Sequence, residues 1–138
     1  MPSAGKHLRN AQRHLAAAEA SHESDVTRSW ATVALFYSAH QLVHAVLDGH
    51  VGLGHELRHP EAHGGLTGTN LLVSRLFRYI DGPYKSLFGT SLAVRYYGQQ
   101  VTADDYRERR NNDYEQIRTW AQRELTKQGR QSLPEFLT

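Results

Sequence analysis

The longest apolar stretch of the chain lies between Arg28 and Asp48, and its pattern is that of a buried helix. Residues 29–47 contain no Asp, Glu, Lys or Arg. One side of this helix is marked by residues that recur at spacings of three and four: Trp30, Val33, Tyr37, His40, His44 and Leu47. Most of the remaining surface is also apolar, and a helix that is apolar nearly all round is enclosed by other helices. The pattern therefore predicts a central helix with polar, titratable groups on its seam.

Weaker amphipathic patterns predict the helices that surround this one. They cover residues 5–20, residues 69–80, residues 83–97 with an interruption at Gly89, and a last helix that runs from about residue 102 to Gly129. No segment favours a strand. Long helices joined by short connections pack antiparallel, so the sequence predicts an all-α fold, an up-and-down bundle of four to five helices.

Turn-forming and capping residues predict where these helices begin and end. We expect Ser24 or Asp25 to cap the central helix, because short polar side chains bind the free N–H groups of a helix start. We expect Gly82 and Pro83 to end the third helix, since proline cannot continue one. Thr102 is a suitable N-cap for the last helix.

The composition fits one soluble domain and excludes some kinds of chemistry. With 138 residues, we expect residues 1–130 to form a single domain and residues 131–138 to be a loose tail. The absence of cysteine excludes disulfides and thiolate chemistry. The N-terminal residues lack the apolar stretch of a signal peptide, and polar residues interrupt the central helix. We therefore expect a cytoplasmic protein with no membrane span.

All nine histidines lie in the first 63 residues. His40 and His44 are one helical turn apart, a spacing that suits either a metal ion or hydrogen-bonded core histidines. His55, His59 and His63 recur every four residues in a glycine-rich loop, which suits either a zinc site or a polar loop that caps the bundle. Neither pattern favours a resident metal, so we expect no cofactor; these five residues are the candidates if a metal is bound.

Two arginine-containing segments are candidate binding sites for nucleotides or RNA. Arg95 precedes Tyr96 and Tyr97, and an arginine beside aromatic rings can bind a phosphate while the rings stack on a base. The alternative is that Arg95 caps helix ends while the tyrosines pack across the bundle. Arg110 and Asn111 lie in the first part of the last helix. Arg110 either forms a partly buried pair with Asp113, or points with Asn111 into a groove between protomers, or lies on a solvated charged face.

Taken in order, these segments resemble a small HEPN-domain protein, a helical family often encoded beside minimal nucleotidyltransferases in prokaryotes. The resemblance covers about residues 5–127. It rests on the Tyr-, Ala- and His-containing core of the second helix (35–47), the His-Gly-Gly that follows the loop (63–65), the Arg-Tyr-Tyr-Gly turn (93–98), and the capped start of the last helix (101–105).

The resemblance implies a HEPN-like bundle that forms a homodimer and acts on RNA or nucleotides. Catalytic members of the family are metal-independent ribonucleases that carry an Arg followed, after four to six residues, by a His near the start of a C-terminal helix. Here Thr102, not a histidine, stands seven residues after Arg95. If folding brings His40 or His63 next to Arg95, these three residues are the catalytic candidates.

The family's arginine–histidine spacing does occur twice elsewhere in the chain, in residues 9–14 of the first helix and in residues 58–63 of the loop. Neither is where the family places it, so the sequence leaves ribonuclease activity open.

Three functions follow from these patterns. The first is a HEPN-type RNA- or nucleotide-binding domain, or a ribonuclease, in a toxin–antitoxin or defence setting, with Arg95 on the phosphate and Tyr96 or Tyr97 on the base. The second is a non-catalytic dimeric interaction module that regulates a partner, such as a nucleotidyltransferase-type protein. The third is a bundle enzyme that uses a histidine-bound metal.

Overall fold

The computed structural model describes residues 4–49 and 65–129. These residues form five helices and no strand: α1 (Ala4–Ser21), α2 (Arg28–Asp48), α3 (Gly65–Leu76), α4 (Asp81–Tyr97) and α5. Helix α5 is continuous and has three parts: Ala103–Glu108, a π-helical stretch Arg109–Tyr114, and Glu115–Lys127. A single 3-10 turn, Arg78–Ile80, joins α3 to α4. The predicted all-α fold is confirmed.

Helices α1 and α4 both run antiparallel to α2. Ser38 in α2 donates a hydrogen bond to the carbonyl of Ala11, 2.7 Å away, while Gln41 in the next turn of α2 bonds to His7, earlier in α1. The early part of α4 contacts α2 at residue 40, and its end contacts α2 at residue 37. These opposite directions are those of an up-and-down bundle.

Helix α5 runs parallel to α2 and closes the bundle. The N–H of Val101, just before α5, donates to the hydroxyl oxygen of Ser29 at 3.1 Å. At the other end, the side-chain amide of Gln128 donates to the carbonyl of Val46 at 3.0 Å. Every neighbour of α2 is thus tied to it by at least one hydrogen bond.

The core surrounds α2, as its pattern predicts. Phe36 and Leu35 are fully buried in it, and burial of each such side chain contributes about 1.5–3 kcal/mol. Large side chains of α4 and α5 meet them, among them Tyr84, Leu87, Tyr114, Ile117 and Leu125. One line of residues on α2 stays partly or largely exposed, and we call it the outer stripe: Trp30, Ala34, Tyr37, Gln41 and Asp48.

Several helix ends differ from the prediction. Helix α2 begins at Arg28 rather than at Ser24 or Asp25, because these two residues form a turn before it. The carbonyl of Ser24 accepts the backbone N–H of Arg28 at 2.8 Å, and the Asp25 carboxylate pairs with the Arg28 side chain at 2.5 Å.

The prediction that Gly82 and Pro83 end the third helix is wrong. They lie in the first turn of α4, where a proline loses no hydrogen bond because the first N–H groups of a helix have no partner within it. Gly89 does not interrupt α4. By contrast, the cap at Thr102 is confirmed, since its hydroxyl accepts the N–H of Asp105 at 3.0 Å.

The predicted tail at residues 131–138 and the histidine loop with His55, His59 and His63 lie outside the described residues. The domain limits therefore stay a prediction. None of the helices in residues 4–49 and 65–129 combines the length and apolar character that crossing a bilayer requires.

Candidate functional site

Arg95 lies near the end of α4 and rests on the outer stripe of α2. Its Nη1 donates a hydrogen bond to the hydroxyl of Tyr37 at 3.1 Å, and its Nε donates to the carbonyl of Ser91 at 3.4 Å. The guanidinium carbon stands 5.7 Å from the centre of the Tyr37 ring. These contacts hold the guanidinium against Tyr37, near the middle of helix α2.

Arg95 differs from the other partly buried arginines in its lack of a counter-charge. Within residues 4–49 and 65–129, it alone among them has no carboxylate at salt-bridge distance. The others all have one: Arg28 with Asp25, Arg109 with Asp113, Arg110 with Glu19 and Glu115, and Arg118 with Glu115. A charge that is partly removed from water without a partner is costly, so this position favours an anion.

One exposed aromatic ring lies beside this charge, and two further exposed rings are carried by the same two helices. The ring of Tyr96 is 5.1 Å from the guanidinium carbon of Arg95 and is 68% exposed, and Tyr97 is 80% exposed. Trp30, on the outer stripe of α2, is 58% exposed. Flat rings that face solvent next to a cation suit a ligand with both a phosphate and a base.

The end of α4 is built to hold this arrangement. Gly98 ends the helix with a φ of 64°, a left-handed conformation that glycine adopts without strain. The N–H of Gln99 then returns to the carbonyl of Ala93 at 3.1 Å. The bond from Val101 to Ser29 ties the following turn to the start of α2. Residues 95–100 are therefore fixed against α2 at both ends.

His14 reaches the same place from α1. It is half-buried, and its ring centre lies 5.9 Å from that of Tyr37. Burial lowers the pKa of His14 below its usual 6.5, so the imidazole is neutral at pH 7. Tyr37 thus stands between a guanidinium from α4 and an imidazole from α1. Neither Tyr37 nor His14 was predicted as a site residue, although His14 ends one of the two arginine–histidine spacings.

His40 and His44 are core residues in this structure. The Nδ1 atom of His40 is 3.0 Å from the hydroxyl of Tyr84, and the Nε2 atom of His44 is 3.0 Å from the hydroxyl of Thr69. Burial raises the pKa of Tyr84, so its hydroxyl stays protonated. His40 lies behind Tyr37, with ring centres 6.3 Å apart. The interpretation as hydrogen-bonded core histidines fits these contacts.

A metal site was the alternative for the histidines. The described part of the chain contains no group of three or more His, Cys, Asp or Glu side chains that could hold a metal ion. His55, His59 and His63 lie outside that part, as does the predicted meeting of His63 with Arg95.

The structure places Arg110 and Asn111 in a different groove from Arg95, between α1 and α5. The Nε of Arg110 donates to Glu19 at 2.6 Å and its Nη1 to Glu115 at 3.1 Å. Asn111 is exposed. Arg110, Asn111 and Arg95 were all predicted to bind a nucleotide or RNA, but Arg110 and Asn111 line a groove that does not include Arg95.

No family model, curated protein or solved structure matches the chain.

Proposed function

We propose that the protein is a HEPN-type RNA- or nucleotide-binding domain in which Arg95 contacts phosphate and Tyr96 or Tyr97 stacks on a base. The observation that carries the proposal is the charge of Arg95, which is partly buried and has no carboxylate partner among the described residues. The order of segments that resembles the HEPN family is the second support.

The remaining hydrogen-bonding capacity of Arg95 fits a phosphate. An arginine carries five N–H donors, and Arg95 uses Nε and Nη1 for Ser91 and Tyr37. Its Nη2 has no hydrogen bond to any residue that the structure describes, so it is available to an oxyanion. Charge-assisted bonds of this kind are roughly twice as strong as neutral ones.

Cleavage of RNA is the catalytic form of this proposal. His14 is neutral at pH 7 and contacts Tyr37, so it has the protonation state of a general base for a ribose 2′-hydroxyl. Arg95 would stabilise the charge that develops on the phosphate. Incubation with RNA and a chelator tests this form: a product with a cyclic phosphate, absent for His14→Ala, supports it.

Binding is tested with a fluorescently labelled oligouridine in an anisotropy titration at low salt. We expect Arg95→Ala to weaken binding at least tenfold, since a hydrogen bond to a charged group contributes about 1.5–3 kcal/mol. Arg123→Ala removes the same charge from an exposed position next to Tyr79 and is the matched control. Equal affinities for the two variants would contradict the proposal.

A dimeric interaction module is a second candidate, and an exposed apolar patch favours it. Val26 is 85% exposed and lines one groove with Trp30 and Val94. Exposed apolar side chains that lie together can contribute to a protein interface, and the resemblance implies a second copy or a nucleotidyltransferase-type partner. Light scattering tests it: a dimer that Trp30→Ser converts to the 15.6 kDa monomer supports this candidate.

A further inference from the structure

A shallow depression lies where the start of α2 meets the end of α4. Its volume is about 370 Å³, which is at the lower end of the range for small-molecule sites. Apolar side chains of Val26, Trp30 and Val94 line one part of it, and polar side chains of Ser29, Gln99 and Gln100 line another. The carboxylate of Asp25 is also at its edge, where it pairs with Arg28. It is separate from the contacts that hold Arg95, but Val94 is the neighbour of Arg95 in the chain.

The apolar part offers a stacking surface. Trp30 is 58% exposed and Val26 is 85% exposed, although both are side chains that proteins usually cover at least in part. An indole ring that faces solvent can stack on any nucleobase, because every base has a flat aromatic face.

The polar part of the depression offers hydrogen-bond donors and acceptors that have no partner among the described residues. Gln99 and Gln100 are exposed, and their side-chain amides form no hydrogen bond with the described residues. A glutamine amide has two donors and one acceptor oxygen, which is the combination that reads the edge of a base. The turn after Gly98 fixes the backbone that carries them.

The spacing of Trp30 and Tyr37 along α2 is comparable to the length of one nucleotide. Trp30 and Tyr37 both lie on the outer stripe, seven residues apart, which is about 10 Å along the helix. Arg95 is bonded to the hydroxyl of Tyr37. A nucleotide has roughly this length from its phosphate to the far edge of its base, so one such ligand is long enough to reach from Arg95 to Trp30.

We propose that the depression beside Trp30 is a base subsite, and that the ligand is a nucleotide with an unpaired base, either free or at the end of an RNA strand. This inference rests on the proposed function, because it takes the phosphate of the same ligand to be at Arg95. The base stacks on Trp30, which takes the role given above to Tyr96 or Tyr97, and Gln99 and Gln100 bind its edge. A double helix does not fit, since its bases are already stacked on each other.

Tryptophan fluorescence tests the subsite directly. The chain has two tryptophans, and Trp120 is only 3% exposed, so it is the internal control for Trp30. We expect adenosine 5′-monophosphate to quench the emission in a saturable way, and ribose 5-phosphate to bind without quenching. Trp120→Phe keeps the quenching.

Two variants separate the base from the phosphate. Trp30→Leu abolishes the quenching and weakens binding of adenosine 5′-monophosphate roughly tenfold, while the affinity for ribose 5-phosphate stays the same. Gln99→Ala, an exposed substitution, weakens only the nucleotide. Arg95→Ala weakens both ligands. Circular dichroism confirms that each variant is folded.

Three outcomes overturn the inference. If the nucleotide and the sugar phosphate bind equally well and both depend on Arg95, the phosphate contact stands and the base subsite does not exist. If quenching follows protein concentration without any ligand, a second copy occupies the depression. If neither ligand nor oligouridine binds, the proposed function fails together with the subsite.

Discussion

Two arginines in this molecule share a setting and differ in one respect. Arg95 and Arg110 are both partly buried, and each guanidinium lies over a tyrosine ring, at 5.7 Å from Tyr37 and 5.2 Å from Tyr114. Arg110 also contacts two carboxylates, whereas Arg95 has none among the described residues. The presence of counter-charge therefore separates an arginine that stabilises the fold from one that is available to a ligand.

The positive charge of Arg110 is balanced by the carboxylates around it. Burial alone would lower its pKa, but the hydrogen bonds and charges of Glu19 and Glu115 outweigh burial and raise it. Glu115 responds in the opposite sense: burial alone would raise its pKa, but Arg118 and Arg110 lower it. Arg110 and its two glutamates favour each other's charged forms. The positive charge of Arg110 is therefore balanced and does not attract an anion.

The largest expected effect comes from removing each arginine in turn. Arg95→Ala weakens nucleotide binding tenfold or more and leaves the melting temperature nearly unchanged. Arg110→Ala leaves binding unchanged but lowers stability by about 1 kcal/mol, the upper value for partly exposed ion pairs, or about 4 °C in melting temperature. Anisotropy and thermal melts on both variants measure this. A fall in binding for Arg110→Ala equal to that for Arg95→Ala would remove the distinction.

A smaller effect is expected from giving Arg95 the carboxylate that it lacks. The Arg95 guanidinium lies over the ring of Tyr96, so Tyr96→Glu places an acidic group within its reach. We expect binding to fall about fivefold, because the new carboxylate competes with phosphate for the same N–H groups. Tyr96→Gln removes the same ring without adding the charge, and it is the control in the same titration.

The smallest effect concerns acid stability in the groove of Arg110. The pKa of Glu115 in the folded chain lies below the 4.5 of the unfolded chain, so its ionised form stabilises the fold. That contribution is complete above pH 4.5 and is lost as the pH falls through the lower, folded pKa. Glu115→Gln therefore reduces the loss of stability on acidification, measured by urea unfolding at pH 7 and pH 3. An unchanged pH dependence in this variant would show that the pair contributes nothing.

The sequence predicted the bundle well because apolar spacing reports directly on burial. The run from Trp30 to Leu47 predicted the central helix, and most of its residues are buried, although Trp30 and Tyr37 lie on the outer stripe. Pro83 was misassigned because the same residue ends a helix in one context and begins one in another. Local sequence does not distinguish the two cases.

The site was only partly predictable because its contacts join distant parts of the chain. Arg95 was identified from its aromatic neighbours, but its partner Tyr37 is 58 residues away. Arg110 pairs with Glu19, which is 91 residues away in the chain, so its ion pair could not be predicted from the residues next to it in the sequence. Whether a charge is paired is a property of packing, and a single sequence gives no measure of it.

The π-helical stretch Arg109–Tyr114 has an evolutionary consequence. A π turn holds about one residue more than an α turn of the same height, so we infer that the stretch arose by insertion of a single residue into an α-helix. Without it, the side chains beyond would be rotated by about 100°, and Ile117 would no longer face inward. An alignment with a relative whose last helix is purely α-helical should therefore contain a one-residue gap here, at the exposed Asn111 or Asn112.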